Sequence, residues 1–186
     1  MVRIIAGTAR GRKIDTLEGM ETRPTLDRVK EAVFGSLQFR IPYAEVLDLF
    51  AGSGSLGLEA ASRGAKRAVF NDRNPACAAI IRRNVETLGF SDAARVLNLD
   101  YAAAIERLSN DGESFDLAFL DPPYREGIAE DAVKRLFEAR LIKSGGLVVL
   151  EHAAELVPDG LAGVYRVAKT KRFGKCGYSL IEEDGE

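Results

Sequence analysis

Hydrophobic positions divide the chain into short apolar runs that alternate with longer helical patterns. The apolar runs are bounded by turn residues, as buried parallel strands usually are, and they lie at 46–50, 68–71, 95–97, 117–120 and 147–150. Apolar spacings of three and four predict helices at 54–62, 75–88, 102–108 and 129–139. This alternation is typical of an α/β sheet with helices on both faces.

The two ends of the chain follow other patterns. Glycines separate short strand-like runs within residues 1–14, which predicts a β-hairpin outside the core, and a helix is expected from Pro24 to about Leu37. After Gly160, two strand-like runs, at 164–168 and 178–181, have no helix between them, which predicts antiparallel pairing. We therefore predict an N-terminal extension, residues 1–40, and one doubly wound Rossmann-like domain, residues 41–186, that is mostly parallel with an antiparallel C-terminal strand.

Composition narrows the class of protein. The chain has 186 residues and 46% hydrophobic positions, enough for one domain with a sizeable core. No apolar run is long enough to span a bilayer, and the N-terminus lacks the pattern of a secretory signal. The two cysteines, Cys77 and Cys176, are far apart and in no metal-ligand spacing. A cytoplasmic protein without a metal or a membrane partner is expected.

Charge is unevenly distributed although the formal net charge is only −2. Arg3, Arg10, Arg12 and Lys13 lie in a segment without an acidic residue, and residues 164–176 form a second such segment. If the two segments converge, they predict a surface for nucleic-acid phosphates. The alternative is that both are solvated edge strands whose charges prevent aggregation.

Candidate chemistry is sought after the strands, because ligands of such sheets bind beyond the carboxyl ends. Gly52, Gly54 and Gly57 follow the first strand in a G-x-G-x-x-G spacing, which also fits a nicotinamide or flavin dehydrogenase. Asp72 follows the second strand, where a carboxylate accepts from ribose hydroxyls of NAD or S-adenosylmethionine equally well. Asp100, after the third strand, either meets an adenine amine or caps a helix.

The end of the fourth strand favours methyl transfer over hydride transfer. It reads Asp121-Pro122-Pro123-Tyr124. Exocyclic amines of bases are poor nucleophiles, and a carboxylate that accepts from the amine N–H favours the charge that develops on nitrogen. An aromatic ring beside it offers a face on which the base stacks. A dehydrogenase has no comparable use for this combination.

At this point the chain resembles the class I S-adenosylmethionine-dependent methyltransferases, and more narrowly the RsmD family of 16S rRNA (guanine-N2)-methyltransferases. The resemblance rests on residues 10–12 (RGR), 23–31 (RPTLDRVKE), 47–54 (LDLFAGSG), 63–65 (RGA) and 120–124 (LDPPY). It implies S-adenosylmethionine as cofactor, with binding residues Asp48, Phe50, Gly52, Gly54, Asp72 and Asp100. The family usually has Glu where this chain has Asp72, so the ribose contact is expected to be longer or bridged by water.

The resemblance also implies the substrate. Asp121, Pro122 and Tyr124 would act on the N2 amine of a guanine in small-subunit rRNA within an assembling ribosomal particle. With the charge pattern added, the expected RNA-binding residues are Arg3, Arg10, Arg12, Lys13, Arg23, Thr25, Arg28, Lys171 and Arg172. A monomer is expected.

Two alternatives stay open on the residues alone. One is another exocyclic-amine methyltransferase, acting on adenine N6 of DNA or RNA or on a protein glutamine. The other is a non-catalytic RNA-binding assembly factor that keeps the cofactor fold. His152, after the fifth strand, is interpreted as structural rather than as a catalytic base. The sequence does not decide whether Tyr178 packs near the rim of the pocket.

Overall fold

The computed structural model describes residues 2–17, 24–123, 127–160 and 162–185, with the backbone alone at 24–27. The strands are, in chain order, β1 (Val2–Arg3), β2 (Lys13–Ile14), β3 (Glu45–Asp48), β4 (Arg67–Asn71), β5 (Ala94–Leu97), β6 (Phe115–Leu120), β7 (Ile142–Ala153), β8 (Tyr165–Phe173) and β9 (Cys176–Glu183). The helices are α1 (Pro24–Ser36), α2 (Ser55–Ser62), α3 (Pro75–Leu88), α4 (Tyr101–Asn110) and α5 (Ile128–Glu138).

A seven-stranded sheet in the order β5-β4-β3-β6-β7-β9-β8 forms the centre of the molecule. Strands β3 to β7 pair in parallel, and β9 pairs antiparallel with both β7 and β8. Strand β6 explains why the parallel strands are almost wholly apolar: Ala118 and Leu120 pack into one core cluster while Leu117 and Phe119 pack into another. The predicted doubly wound α/β sheet with an antiparallel C-terminal strand is confirmed.

Helices cover both faces of this sheet. Helices α4 and α5 contribute Ala104 and Ala132 to the cluster that also holds Leu120. Helix α1 packs Val33 against the opposite face, beside α2 and α3, which pack against Phe70 of β4. No helix among the described residues is long and apolar enough to cross a membrane.

The N-terminal extension is a small antiparallel hairpin, as predicted, in which Val2 is opposite Ile14 and Arg3 is opposite Lys13. A buried carboxylate fastens it to the helices. Glu59 of α2 accepts from the backbone amides of Ile5 (2.8 Å) and Ala6 (3.0 Å) and pairs with Lys30 (3.1 Å) and Arg63 (2.8 Å). Polar contacts therefore cross the predicted boundary at residue 40, which stays a prediction.

Strand bounds differ from the sequence prediction most clearly in β7 and β8. Strand β7 begins at Ile142 rather than 147, and β8 continues to Phe173 rather than ending at 168. Residues 143–146 are Lys-Ser-Gly-Gly, a loop-like composition, yet pairing with β6 starts at Ile142 opposite Phe115. The basic end of β8 is extended because β9 pairs with it up to Phe173 opposite Cys176.

Candidate active site

The site lies where the strand order reverses, between β3 and β6. Chain segments after these two strands stay close, since the Leu49 amide donates to the Phe119 carbonyl at 3.0 Å. The glycine loop after β3 and Asp121 after β6 therefore share the carboxyl edge of the sheet. This is the edge at which the sequence predicts a ligand.

The glycine loop is shaped by close approach and by backbone conformation. Gly52 (φ +56°) and Gly54 (φ +82°) adopt left-handed conformations that side chains rarely take. A Cβ on Gly57 would lie 2.3 Å from the Phe70 ring, so the start of α2 packs on β4 only without a side chain there. A Cβ on Gly52 would meet nothing within 4 Å, which leaves open space above the loop.

Asp48 lies beneath this loop. Its side chain is buried, and its carboxylate accepts from the Gly57 amide at 2.9 Å. Burial, and to a smaller degree the charges of Asp121 and Asp72, raise the pKa of this carboxyl to about 7, against the lowering effects of Gly57 and Lys30. Asp48 thus holds the loop from below, while its predicted contact with the cofactor stays a prediction.

Asp72, half-buried after β4, holds the loop from the side. One carboxylate oxygen accepts from the Gly52 amide (2.8 Å) and the other from the Asn74 amide (2.8 Å). Each oxygen keeps a second lone pair, so both can still accept from ribose hydroxyls. The shorter side chain of Asp, compared with the usual Glu, is compatible with this clasp on Gly52.

Asp121 follows β6 directly and faces the site with an exposed side chain. None of the described residues donates a hydrogen bond to its carboxylate. The surrounding protein displaces water from this carboxylate, and this desolvation raises its pKa to about 6. Pro122 is buried and Pro123 exposed, and both lie beyond the last residue of the strand. Tyr124, predicted to stack on the base, lies outside the described residues.

Comparison with known proteins assigns the family. Residues 2–182 match the model of the family described as Conserved hypothetical protein 95. The ribosomal RNA small subunit methyltransferase D of Haemophilus influenzae is 42% identical over 185 residues, which cover 97% of this chain and 93% of that protein. This chain belongs to the RsmD family.

Solved structures agree with this RsmD assignment. A hypothetical protein of Thermus thermophilus superimposes with a TM-score of 0.83 at 33% identity, covering 98% of this chain and 99% of that one. A T. thermophilus 16S rRNA N2 G1207 methyltransferase, solved with AdoMet and guanosine, has a TM-score of 0.69 at 23% identity over 91% of this chain and 45% of its own. That more distant likeness supports the fold alone.

A second carboxylate in this RsmD site was missed by the sequence analysis. Glu151 of β7 directly follows Leu150, the register partner of Leu120, so Glu151 and Asp121 occupy matching positions on neighbouring strands. Burial and the nearby charge of Asp121 raise the pKa of Glu151 to about 8. The sequence does carry a signal for Glu151, because this residue directly follows the fifth predicted strand and precedes His152.

The remaining candidate cofactor residues lie around α4. Asp100 is exposed and caps this helix by accepting from the Ala102 amide at 3.0 Å, so the capping alternative is confirmed. The Phe50 ring packs against Tyr101 with centroids 5.5 Å apart. Both residues stand at the carboxyl edge, and their contacts with adenine stay predictions.

Part of the predicted basic surface of this RsmD chain lies toward the same edge. Lys30 Nζ contacts both the Arg3 carbonyl (3.4 Å) and the Ser55 hydroxyl (2.9 Å), which places the N-terminal hairpin beside the start of α2. The turn between β8 and β9 lies at the carboxyl end of β7, since Cys176 is opposite Ala153. Exposed side chains among the predicted RNA contacts are Arg3, Arg10, Arg12, Lys13, Arg28 and Arg172, whereas Lys171 is half-buried.

Three of the expected RNA contacts are either partly engaged within the protein or outside the described side chains: Arg12, Arg23 and Thr25. Arg12 donates to the Thr87 carbonyl at the end of α3, so its guanidinium is partly engaged within the protein. Arg23 lies outside the described residues, and of Thr25 the structure describes the backbone alone. Their contacts with RNA stay predictions.

His152 and Tyr178 are part of the packed interior. His152 is buried, with Nδ1 2.8 Å from the Ala153 carbonyl and Nε2 2.9 Å from the Ser179 hydroxyl. Tyr178 is fully buried and donates to the Ala32 carbonyl of α1 at 3.1 Å. Both ring nitrogens of His152 have partners, which supports its structural interpretation, and Tyr178 joins α1 to β9.

Within the described residues, no group of three or more His, Cys, Asp or Glu side chains is arranged to hold a metal ion.

Proposed function

We propose that this protein transfers the methyl group of S-adenosylmethionine to the exocyclic N2 amine of a guanine in small-subunit rRNA. The observation that carries the proposal is the Asp121 carboxylate, which is exposed beside the glycine loop and accepts no hydrogen bond from the described residues. The name of the Haemophilus influenzae relative supports the substrate class.

The residues around the loop fit S-adenosylmethionine. Open space above Gly52 leaves room for the ligand. The two backbone hydrogen bonds that Asp72 accepts leave one lone pair on each carboxylate oxygen for ribose hydroxyls. Phe50 and Asp100 flank the place expected for the adenine, and Asp48 keeps the loop in shape from below. The bound sulfonium supplies an already activated methyl group.

The chain's own contribution is to orient the amine and to stabilise its charge. Asp121 accepts from one N2–H, which turns the nitrogen lone pair toward the methyl carbon and stabilises the positive charge that develops on nitrogen. A nitrogen–carbon bond forms as the carbon–sulfur bond breaks, and the amine then loses one proton to water. Pro122 fixes the chain direction after the strand, so that the Asp121 carboxylate keeps this position.

RNA binding is proposed for the basic residues at the same edge. The exposed cations of the hairpin and of β8 would neutralise phosphates around the site. A guanine inside folded RNA must leave its stack to reach Asp121, and Tyr124 would stack on the displaced base. We propose that the protein acts as a monomer in the cytoplasm and that its substrate is an assembling small subunit.

The test is transfer of labelled methyl from S-adenosylmethionine to under-methylated small subunits, followed by nucleoside analysis. We expect labelled N2-methylguanosine with the wild-type protein. The label should be lost in Asp121→Ala and kept in Asp92→Ala, a control on the exposed surface. Label in N6-methyladenosine would contradict the choice of base. Absence of label in RNA despite cofactor binding would contradict the substrate class.

A further inference from the structure

Glu151 presents an acceptor that the protein leaves unsatisfied. Its Oε1 atom is buried, and none of the described residues provides a hydrogen-bond partner for it. The side chain as a whole is half-buried, so the carboxyl group borders the site with part of its surface. A buried polar atom without a partner is costly and rare, and in a site it indicates a group that waits for a ligand.

Geometry directs this carboxyl group toward Asp121. Leu120 and Leu150 are register partners whose side chains enter the same core cluster, so the next residues, Asp121 and Glu151, both turn to the opposite face. On β9 the partner of Glu151 is Tyr178, which packs against α1 on that opposite face. Besides burial, the charge of Asp121 raises the pKa of Glu151, which agrees with this proximity.

Two neighbouring carboxyl groups match the edge of one particular base. Guanine presents two adjacent donors, N1–H and the N2 amine, along its Watson–Crick edge, whereas adenine presents an acceptor N1 beside its amine. Above the pKa of about 8 of Glu151, both carboxyl groups are ionised and accept only, so the pair favours two adjacent donors and disfavours an acceptor. If Asp121 receives the N2–H, the adjacent donor is N1–H.

We propose that Glu151 accepts a hydrogen bond from N1–H of the target guanine, beside Asp121 on the N2 amine, and thereby selects guanine over other bases. This inference rests on the proposed function. Glu151 touches the substrate in this arrangement and binds no part of the cofactor. Its isosteric variant should therefore affect the recognition of the base without affecting the affinity for S-adenosylmethionine.

The experiment compares guanine with 2-aminopurine at the target position of reconstituted small subunits. 2-Aminopurine keeps the N2 amine but has an acceptor at N1 and no oxygen at C6, so it removes the contact assigned to Glu151 together with any contact to O6. Contacts to O6 are the same in wild type and in the Glu151 variant, so the change of preference between these two proteins reports the N1 contact. Methylation rates of both substrates are measured at pH 9, where Glu151 is ionised, for wild type, Glu151→Gln and the exposed-surface control Glu106→Gln. Because a base has the same intrinsic reactivity with every protein, that reactivity cancels when the guanine preference of two proteins is compared.

Wild type and Glu106→Gln should prefer guanine about a hundredfold or more, because a buried carboxylate facing the N1 acceptor is left unpaired. Glu151→Gln should lose about tenfold to a hundredfold in kcat/KM on guanine and reduce that preference to within about tenfold, since an amide also donates. Its melting temperature should equal or exceed that of wild type, which excludes unfolding as the cause.

Other outcomes separate the two proposals. An unchanged guanine preference in Glu151→Gln would overturn the role of Glu151 while leaving the proposed function intact. A reduced rate with an unchanged preference would also overturn it and would indicate a structural role. Failure of wild type to methylate guanine N2 in the same assay would contradict the proposed function itself.

Discussion

At the scale of single residues, the site depends on carboxyl groups whose surroundings differ. Asp72 is engaged by two backbone amides, Asp48 by one, and Asp121 by none of the described residues. The first two shape the glycine loop, and the third is left for the substrate. Differences in hydrogen bonding, rather than in residue type, separate their roles.

The pH dependence of methylation should reflect the Asp121–Glu151 pair. Both carboxyl groups have raised pKa values, to about 6 for Asp121 and about 8 for Glu151, and the ionised forms are the stronger acceptors for guanine. Activity should therefore increase with pH, and kcat/KM on small subunits, measured from pH 5 to pH 9, should rise in two steps that belong to the pair. Glu151→Gln should retain the lower step alone. A wild-type profile that is flat across this range would contradict the prediction.

At the scale of elements, the hairpin and α1 are joined to α2 through Glu59, the buried carboxylate described above. Its backbone donors come from the chain after β1 and its cationic partners from α1 and α2. Removal of this carboxylate would take the acceptor from two part-buried amides and one ion-pair partner from each of two cations.

Glu59→Ala should lower the free energy of unfolding by about 3–5 kcal/mol, since a buried lysine and two amides lose their acceptor. Urea denaturation measures the loss, and hydrogen exchange at the Ile5 and Ala6 amides should accelerate. Glu86→Ala, on the exposed surface of α3, is the control and should change stability little. Equal stability of the two variants would show that the cluster does not fasten the hairpin.

Two glycines in helices provide a matched pair for the packing of α2. An alanine at position 57 would place its Cβ 2.3 Å from the Phe70 ring, and overpacking of this kind costs about 1–3 kcal/mol. At Gly35 in α1, where nothing lies within 4 Å, alanine should stabilise the protein by about 0.5–1 kcal/mol. Thermal unfolding of both variants checks the opposite signs. A stabilised Gly57→Ala protein would contradict the packing argument.

The sequence predicts the elements that carry a local signal, and α3 is the clearest example. Its bounds, Pro75–Leu88, agree with the prediction because Asn74 caps it, Pro75 starts it and Gly89 ends it. The start of β7 lacked such a signal, since its Gly-rich beginning pairs only through the neighbouring β6. Asp121 was found from its motif. Glu151 also stands at a predicted strand end, but its position beside Asp121 follows from strand register, which a single sequence does not display.

At the scale of the whole molecule, the formal net charge of −2 conceals an ordered distribution. The Arg3 end of the hairpin stands beside the start of α2, and the basic end of β8 stands beside the carboxyl end of β7. Arg12, by contrast, reaches the end of α3, away from this edge. Segments at opposite ends of the chain thus border the same edge of the sheet. Their position supports an RNA surface more than two unrelated solvated strands, because the candidate site opens between them.

Neutralising part of this surface should reveal its role through salt. Lys171 and Arg172 lie on opposite faces at the end of β8, since their register partners Tyr178 and Gly177 are consecutive, so together they can contact phosphates on both sides of the strand. Each phosphate contact releases counterions, and its loss makes the dependence of affinity on salt shallower. In the double variant Lys171→Ala/Arg172→Ala, binding to small subunits should weaken. The slope of log affinity against log salt should decrease by about 1–2.

The control for this measurement removes two exposed cations of helices that are not among the predicted RNA contacts, Arg107→Ala in α4 and Lys134→Ala in α5. Both double variants change the net charge equally, so a general effect of charge would weaken binding alike in the two. A decrease of slope in the β8 variant alone would locate phosphate contacts at the carboxyl edge. An identical slope in the β8 variant and in wild type would reduce these residues to a solvated edge, and the RNA would then have to be held by the hairpin and α1.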